Sequence, residues 1–118
     1  MLNRHVITKE QALNAIKNGE FGSEIISSGE KVAVVMSQDW CPYWADMRRW
    51  LDSLDTQEDA DVFELIYNKG DFFQEFMSFK ENRWGNHQIP YVRYYIDGKL
   101  VKETNYVNKQ GFQSILGV

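Results

Sequence analysis

The stretch from Lys31 to Trp44 reads KVAVVMSQDWCPYW, and the rest of the chain is read outward from it. Lys31 to Met36 is a near-continuous, valine-rich apolar run, the pattern of a strand covered on both faces. Ser37, Gln38 and Asp39 break it with polar side chains. Pro42 then stands where proline is favoured, at the first position of a helix, because the N–H it lacks would be unbonded there. Tyr43, Met47, Trp50, Leu51 and Leu54 follow at a spacing that lines one face of that helix. The stretch predicts a buried strand, a tight loop and a helix whose N-terminus meets Cys41.

That placement has chemical consequences. A helix N-terminus offers free N–H groups and a partial positive charge, and both favour thiolate over thiol. Thiolate is the nucleophile in disulfide exchange and in peroxide reduction. The competing reading is a small buried apolar side chain, the ordinary state of an unpaired cysteine. Cys41 is the only cysteine, so no disulfide forms within the chain and a redox cycle needs an outside thiol. One cysteine and two histidines, His5 and His87, do not furnish a zinc site, and no metal is expected.

On the N-terminal side, Arg4 to Ile7 reads as a short strand. Thr8 and Gln11 have capping-box spacing, and Ala12, Leu13 and Ile16 form a helical stripe that stops at Gly19. A second short helix is expected from Glu20 to Ser28. On the C-terminal side, Val62 to Tyr67 is a strand. Asp71 with Gln74 resembles a second capping box, before a helix whose core face is Phe72, Phe73, Phe76 and Phe79. Tyr91 to Ile96 is a strand, with its tyrosines Tyr91, Tyr94 and Tyr95 split between core and surface. Asp97-Gly98 is a two-residue hairpin turn into Leu100 to Thr104. Asn108 caps a last helix running to Leu116. Strands alternating with helices imply parallel crossovers, and the hairpin adds an antiparallel edge, giving a mixed-sheet α/β domain with helices on both faces.

Length and charge set the limits. A chain of 118 residues is expected to form a single domain, residues 1–118. The net charge is −4 with no basic face, which argues against nucleic acid or an anionic membrane surface as partner. No apolar run approaches the roughly 20 residues of a membrane span. The opening MLNRHVITKEQ has no apolar leader, so a cytoplasmic, monomeric protein is expected.

Trp40-Cys41-Pro42-Tyr43-Trp44 resembles the W-C-x-x-C active-site motif of the thioredoxin-fold superfamily. Ile89-Pro90 resembles the cis-proline loop that faces that motif, and Ile96-Asp97-Gly98-Lys99-Leu100 resembles the hairpin that follows. The resemblance covers about residues 3–117. It implies a thioredoxin-like three-layer α/β/α sandwich with a mixed central sheet and a C-terminal antiparallel hairpin. It implies Cys41 as the nucleophile and Trp40 as the aromatic residue shielding it. Pro42 and Tyr43 match the glutaredoxin branch. Pro90 matches the cis-proline, and the Ile89 backbone matches the edge on which extended substrates pair by strand addition.

Two departures bear on activity. Trp44 stands where the resolving cysteine belongs, and Val35 stands where thioredoxins carry a buried acid. An indole cannot attack a mixed disulfide, so resolution falls to another thiol. The resemblance therefore implies a single-cysteine thiol–disulfide oxidoreductase acting on a protein or a low-molecular-weight thiol or disulfide. It implies no cofactor, with glutathione as a candidate co-substrate. Ser37, Gln38 and Asp39 supply no base for glutathione carboxylates, which leaves Arg93, Lys99 and Lys102 as candidates at a distance. The alternative is a non-catalytic peptide- or protein-binding module. Trp44 is expected either to wall the thiol or to join Trp40 and Tyr43 in an exposed aromatic patch. His87 is a candidate base and Arg48 a candidate source of positive potential; the competing expectation for both is a solvated surface position.

Overall fold

A computed structural model describes residues 1–118. Strand β1 (Leu2–Val6) leads into helix α1 (Lys9–Asn18), followed by the short helix α2 (Ser23–Ile26) and strand β2 (Lys31–Ser37). Helix α3 (Pro42–Asp52), strand β3 (Ala60–Ile66), a 3₁₀ turn at Tyr67–Lys69 and helix α4 (Phe73–Asn82) come next. Strands β4 (Tyr91–Ile96) and β5 (Lys99–Thr104) and helix α5 (Lys109–Leu116) close the chain. The sheet order is β1-β3-β2-β4-β5. β3 pairs in parallel with β1 and β2, whereas β4 is antiparallel to both β2 and β5.

Local chemistry sets several boundaries. The Thr8–Gln11 capping box forms in both directions: Gln11 N donates to Thr8 Oγ1 at 3.1 Å and Thr8 N to Gln11 Oε1 at 2.9 Å. Gly19 ends α1 in the left-handed conformation that glycine adopts without cost. Asn108 caps α5 by accepting from Gly111 N at 2.8 Å. Asp97 and Gly98 both have positive φ, 52° and 76°, which fits the tight turn between β4 and β5.

β2 is central and buried along its length, so its side chains feed both layers. On one face, Val32, Val34, Met36, Phe63, Tyr91 and Tyr95 pack against Ala12, Ile25, Phe76 and Phe79 of α1, α2 and α4. On the other, Ala33, Val35, Val62, Val92 and Tyr94 pack against Trp44, Met47 and Leu51 of α3 and Phe112 and Leu116 of α5. This is the expected three-layer α/β/α arrangement.

Five expectations are corrected. The second helix is one turn, Ser23–Ile26, rather than Glu20 to Ser28, because the Glu20 carboxylate is drawn to Arg93 across the fold. The first strand begins at Leu2 and stops before Ile7, which is buried in the core. Asp71 caps nothing: Phe72 is the N-cap of α4 without a side-chain bond, and Asp71 instead pairs with Lys9 at 2.8 Å. Tyr91, Tyr94 and Tyr95 are all buried, on opposite faces of β4, because helices cover both faces of the sheet there. Tyr43 is not on the core face of α3. It is 59% exposed, and Trp44 takes the buried position.

Candidate functional site

β2 ends at Ser37 and the chain turns over Gln38–Trp40, closed by Cys41 N donating to Gln38 O at 3.2 Å. The loop is tied to the turn after β3. Asp39 N donates to Asn68 Oδ1 at 3.0 Å, and Asn68 Nδ2 donates to Asp39 Oδ1 at 2.7 Å. That bond, with the Lys69 ammonium 3.6 Å from Asp39 Oδ2, holds the Asp39 carboxyl below the usual carboxylate range. Trp40 lies on the surface, 66% exposed, with its indole N–H donating to Gln38 Oε1 at 2.6 Å.

Cys41 is the N-cap of α3, with extended backbone and Pro42 at the first helical position. Ala45 N reaches the Cys41 carbonyl, while the N–H groups of Tyr43 and Trp44 take no partner within the chain. The thiol therefore sits at a helix start with two orphan donors beside it.

Cys41 is buried, 3% exposed. An accessible sulfur, as the oxidoreductase reading expects, is thus not what the fold provides. Trp44, also 3% exposed, and Ile89 pack in the same apolar cluster as Cys41. Cys41 Sγ contacts the Ile89 carbonyl oxygen at 3.9 Å, across 48 residues of sequence. The Ile89–Pro90 peptide bond is cis, and Pro90 is buried. The fold thus brings Cys41, Trp44, Ile89 and Pro90 together. Trp40 and Tyr43 stand at the surface beside them, and Pro42 is exposed at the helix start.

Trp44 is buried, so it does not join an exposed aromatic patch with Trp40 and Tyr43; its indole packs in the cluster that contains Cys41. The indole also lines a cleft of about 150 Å³ with Asp39, Ala45, Arg48, Ile66 and Lys69. Arg48 is exposed at that cleft, one turn along the helix from Trp44. His87 is exposed and faces Glu81 at 3.7 Å, so its nearest charged neighbour is a carboxylate of α4.

The proposed basic contacts for glutathione do not converge on Cys41. Arg93 is buried on the α1/α4 face of β4, whereas Cys41 belongs to the α3 face. Its guanidinium donates to Glu20 at 2.7 Å, Tyr91 at 2.8 Å and Tyr95 at 2.9 Å, and stacks over Trp84 at 4.1 Å. Lys99 pairs in register with Ile96 at the hairpin end of the sheet, the end where β2 begins, while Cys41 follows the end of β2. Lys102 lies mid-strand on the exposed edge.

Sequence reading missed Tyr106. Its ring lies 5.5 Å from that of Tyr43, and its hydroxyl donates to Asp46 Oδ2 at 2.6 Å. No local pattern marks this residue; only the return of the chain after β5 brings it to α3. It also missed Asn86 and Asn105, which fix the loop carrying Ile89.

The fold and the pairing of a helix-capping cysteine with a cis-proline loop define a class, that of the thioredoxin fold. Among solved structures, the chain superposes on thioredoxin O1 from Arabidopsis thaliana with TM-score 0.69 at 11% identity, covering 98% of this chain and 96% of that one. A mutant thioredoxin from Halobacterium salinarum gives 0.68 at 16% identity, covering 97% and 88%. Thioredoxin F from spinach chloroplast gives 0.66 at 11% identity, covering 98% and 84%. No protein-family model and no curated protein matches the sequence. The chain has the thioredoxin fold. No helix is long and apolar enough to cross a membrane.

Proposed function

We propose that this chain is a thioredoxin-like redox protein in which Cys41 works alone. The observation that carries the reading is the contact of Cys41 Sγ, at the start of α3, with the Ile89 carbonyl at 3.9 Å. In the proposed cycle, Cys41 loses its proton to water, and its thiolate attacks one sulfur of a disulfide. The Sγ–S bond forms, the old S–S bond breaks, and the departing thiolate takes up a proton. A second thiol from outside then attacks the mixed disulfide and returns Cys41 to the thiol.

Cys41 is the only cysteine and Trp44 stands three residues after it, which supports an external resolver. That thiol is a protein or a low-molecular-weight thiol such as glutathione, in keeping with a cytoplasmic setting and a monomer of one domain. Trp40, Pro42, Tyr43, Trp44, Ile89 and Pro90 are the substrate-binding residues in this reading. Because Cys41 is buried, its thiol must turn from the Ile89 carbonyl to meet the incoming disulfide. The burial also counts against a bridge between the Cys41 residues of two copies.

The test is direct. The protein is incubated with glutathione disulfide, and Cys41 is followed by mass spectrometry. One glutathione adduct on Cys41, released by reduced glutathione and missing in Cys41→Ser, is expected. If the native protein takes no adduct while the urea-unfolded protein does, catalysis is ruled out. The non-catalytic binding module then takes its place.

A further inference from the structure

The segment Asn86–Pro90 joins α4 to β4 and delivers Ile89 to the thiol. Pro90 has no N–H, and the pairing of β4 with β5 stops at Val92 and Thr104. Asn105, the residue after β5, takes over with its side chain. Its Nδ2 lies 2.9 Å from Asn86 Oδ1, 3.0 Å from Pro90 O and 3.4 Å from Gln88 O. Its Oδ1 accepts from Asn86 Nδ2 at 3.3 Å.

From the other side, the buried Lys80 of α4 donates its ammonium to Asn86 O at 2.9 Å. Asn86 N donates to Lys80 O, and Gln88 N donates to Asn86 Oδ1 at 3.1 Å. Every polar atom of Asn86 is engaged. Ile89 is the contrast: its N–H makes no hydrogen bond within the chain, and its carbonyl receives only the thiol. The segment is fixed at both ends, while beside Cys41 the Ile89 N–H is open and the Ile89 carbonyl holds only the thiol. A free backbone donor and a weakly held acceptor on one residue are what an added strand pairs with, the arrangement that captures an extended peptide.

We propose that Asn105 is a positioning residue, holding the Ile89 backbone in register with Cys41 for an extended segment of a disulfide-bearing partner. This rests on the single-cysteine reading above. The test uses two mixed disulfides with the same leaving group, thionitrobenzoate. One is carried by the cysteine of an otherwise alanine–glycine octapeptide, the other by 2-mercaptoethanol. In both, Cys41 Sγ bonds to the carrier sulfur and the S–S bond breaks. Thionitrobenzoate leaves with the electron pair, and the Cys41 proton goes to buffer.

Asn105→Ala is expected to lower the rate with the peptide about tenfold relative to the small probe, the loss of a few main-chain hydrogen bonds in register. Asn105→Asp keeps the shape but has no N–H to give, and should do the same. In both variants the Gln88 amide should exchange hydrogen about tenfold faster, while β2 amides are unchanged. A ratio of rates unchanged in both variants overturns the proposal, and so does an equal fall for both probes. If the wild-type protein reacts with neither probe, the reading of Cys41 fails by itself. Gln88 exchange then decides on Asn105, faster exchange upholding its hold on the segment and unchanged exchange overturning it.

Discussion

Truncating Trp44 to alanine separates core packing from surface display at this site. Trp44 is 3% exposed, in the apolar cluster that also holds Cys41, Val35 and Met47. A buried tryptophan hides about 200 Å² of surface, worth about 5 kcal/mol at about 25 cal/mol per Å². The alanine methyl retains about 1 kcal/mol of that, which leaves a loss of about 4 kcal/mol. This falls inside the range of about 3–5 kcal/mol typical of Trp→Ala in cores. Against a total stability of about 5–15 kcal/mol, the variant keeps about 1–11 kcal/mol and is marginal at the low end of the range. Trp44→Phe, which keeps most of the ring, is therefore measured beside it. Urea unfolding gives the stability, and iodoacetamide labelling gives access to the thiol. Labelling of Cys41 should accelerate at least tenfold in folded Trp44→Ala. Tyr43→Ala, one residue away and exposed, should change stability by less than about 0.5 kcal/mol. A loss below about 1.5 kcal/mol for Trp44→Ala, well short of the core range, would refute the packing argument and return the indole to the surface patch.

Three further outcomes follow from the same structure. Burial lowers Lys80 from 10.5 to about 8, with Glu81 opposing and the Tyr91 ring beneath its ammonium. The unfolded chain then holds the Lys80 proton more tightly than the native one. Lys80 alone should add about 2 kcal/mol between pH 8 and pH 10, but Tyr91, Tyr94 and Tyr95, which burial holds un-ionised, offset about 1 kcal/mol of it as the unfolded chain ionises, so the net rise is about 1 kcal/mol and turns to a fall near pH 10. Urea midpoints across that window check this, and Lys80→Met should abolish the rise. Glu20→Ala removes the closest carboxylate from the buried Arg93 and should cost about 3 kcal/mol; Glu103, at 3.5 Å, limits the loss. A loss below about 1 kcal/mol would show that the guanidinium does not depend on Glu20. Gly98→Ala forces a side chain into φ 76° with its Cβ 2.6 Å from Ser27 Oγ. It should lower stability by about 1–2 kcal/mol, read as a drop in Tm.

The sequence by itself determined what depends on near neighbours. The alternation of strands and helices, the box at Thr8, the turn at Asp97-Gly98 and the cap at Asn108 are settled by φ preferences and by hydrogen bonds spanning about three or four residues. The position of Cys41 at a helix start is of the same kind, because the apolar run and Pro42 fix both sides of the loop. Local pattern failed where distant charges intervened. Asp71 has the spacing of a cap but answers to Lys9, and Glu20 has helical neighbours but answers to Arg93. It also failed on rotational phase: Met47, Leu51 and Leu54 fit a stripe through either Tyr43 or Trp44. Only the packing of α3 on the sheet chose Trp44. Tertiary structure alone decided that the thiol is covered, that Tyr106 stands beside Tyr43, and that Asn105 and Lys80 hold the segment bearing Ile89. Those contacts join residues far apart along the chain, and their existence depends on strand order and register, which no local spacing encodes.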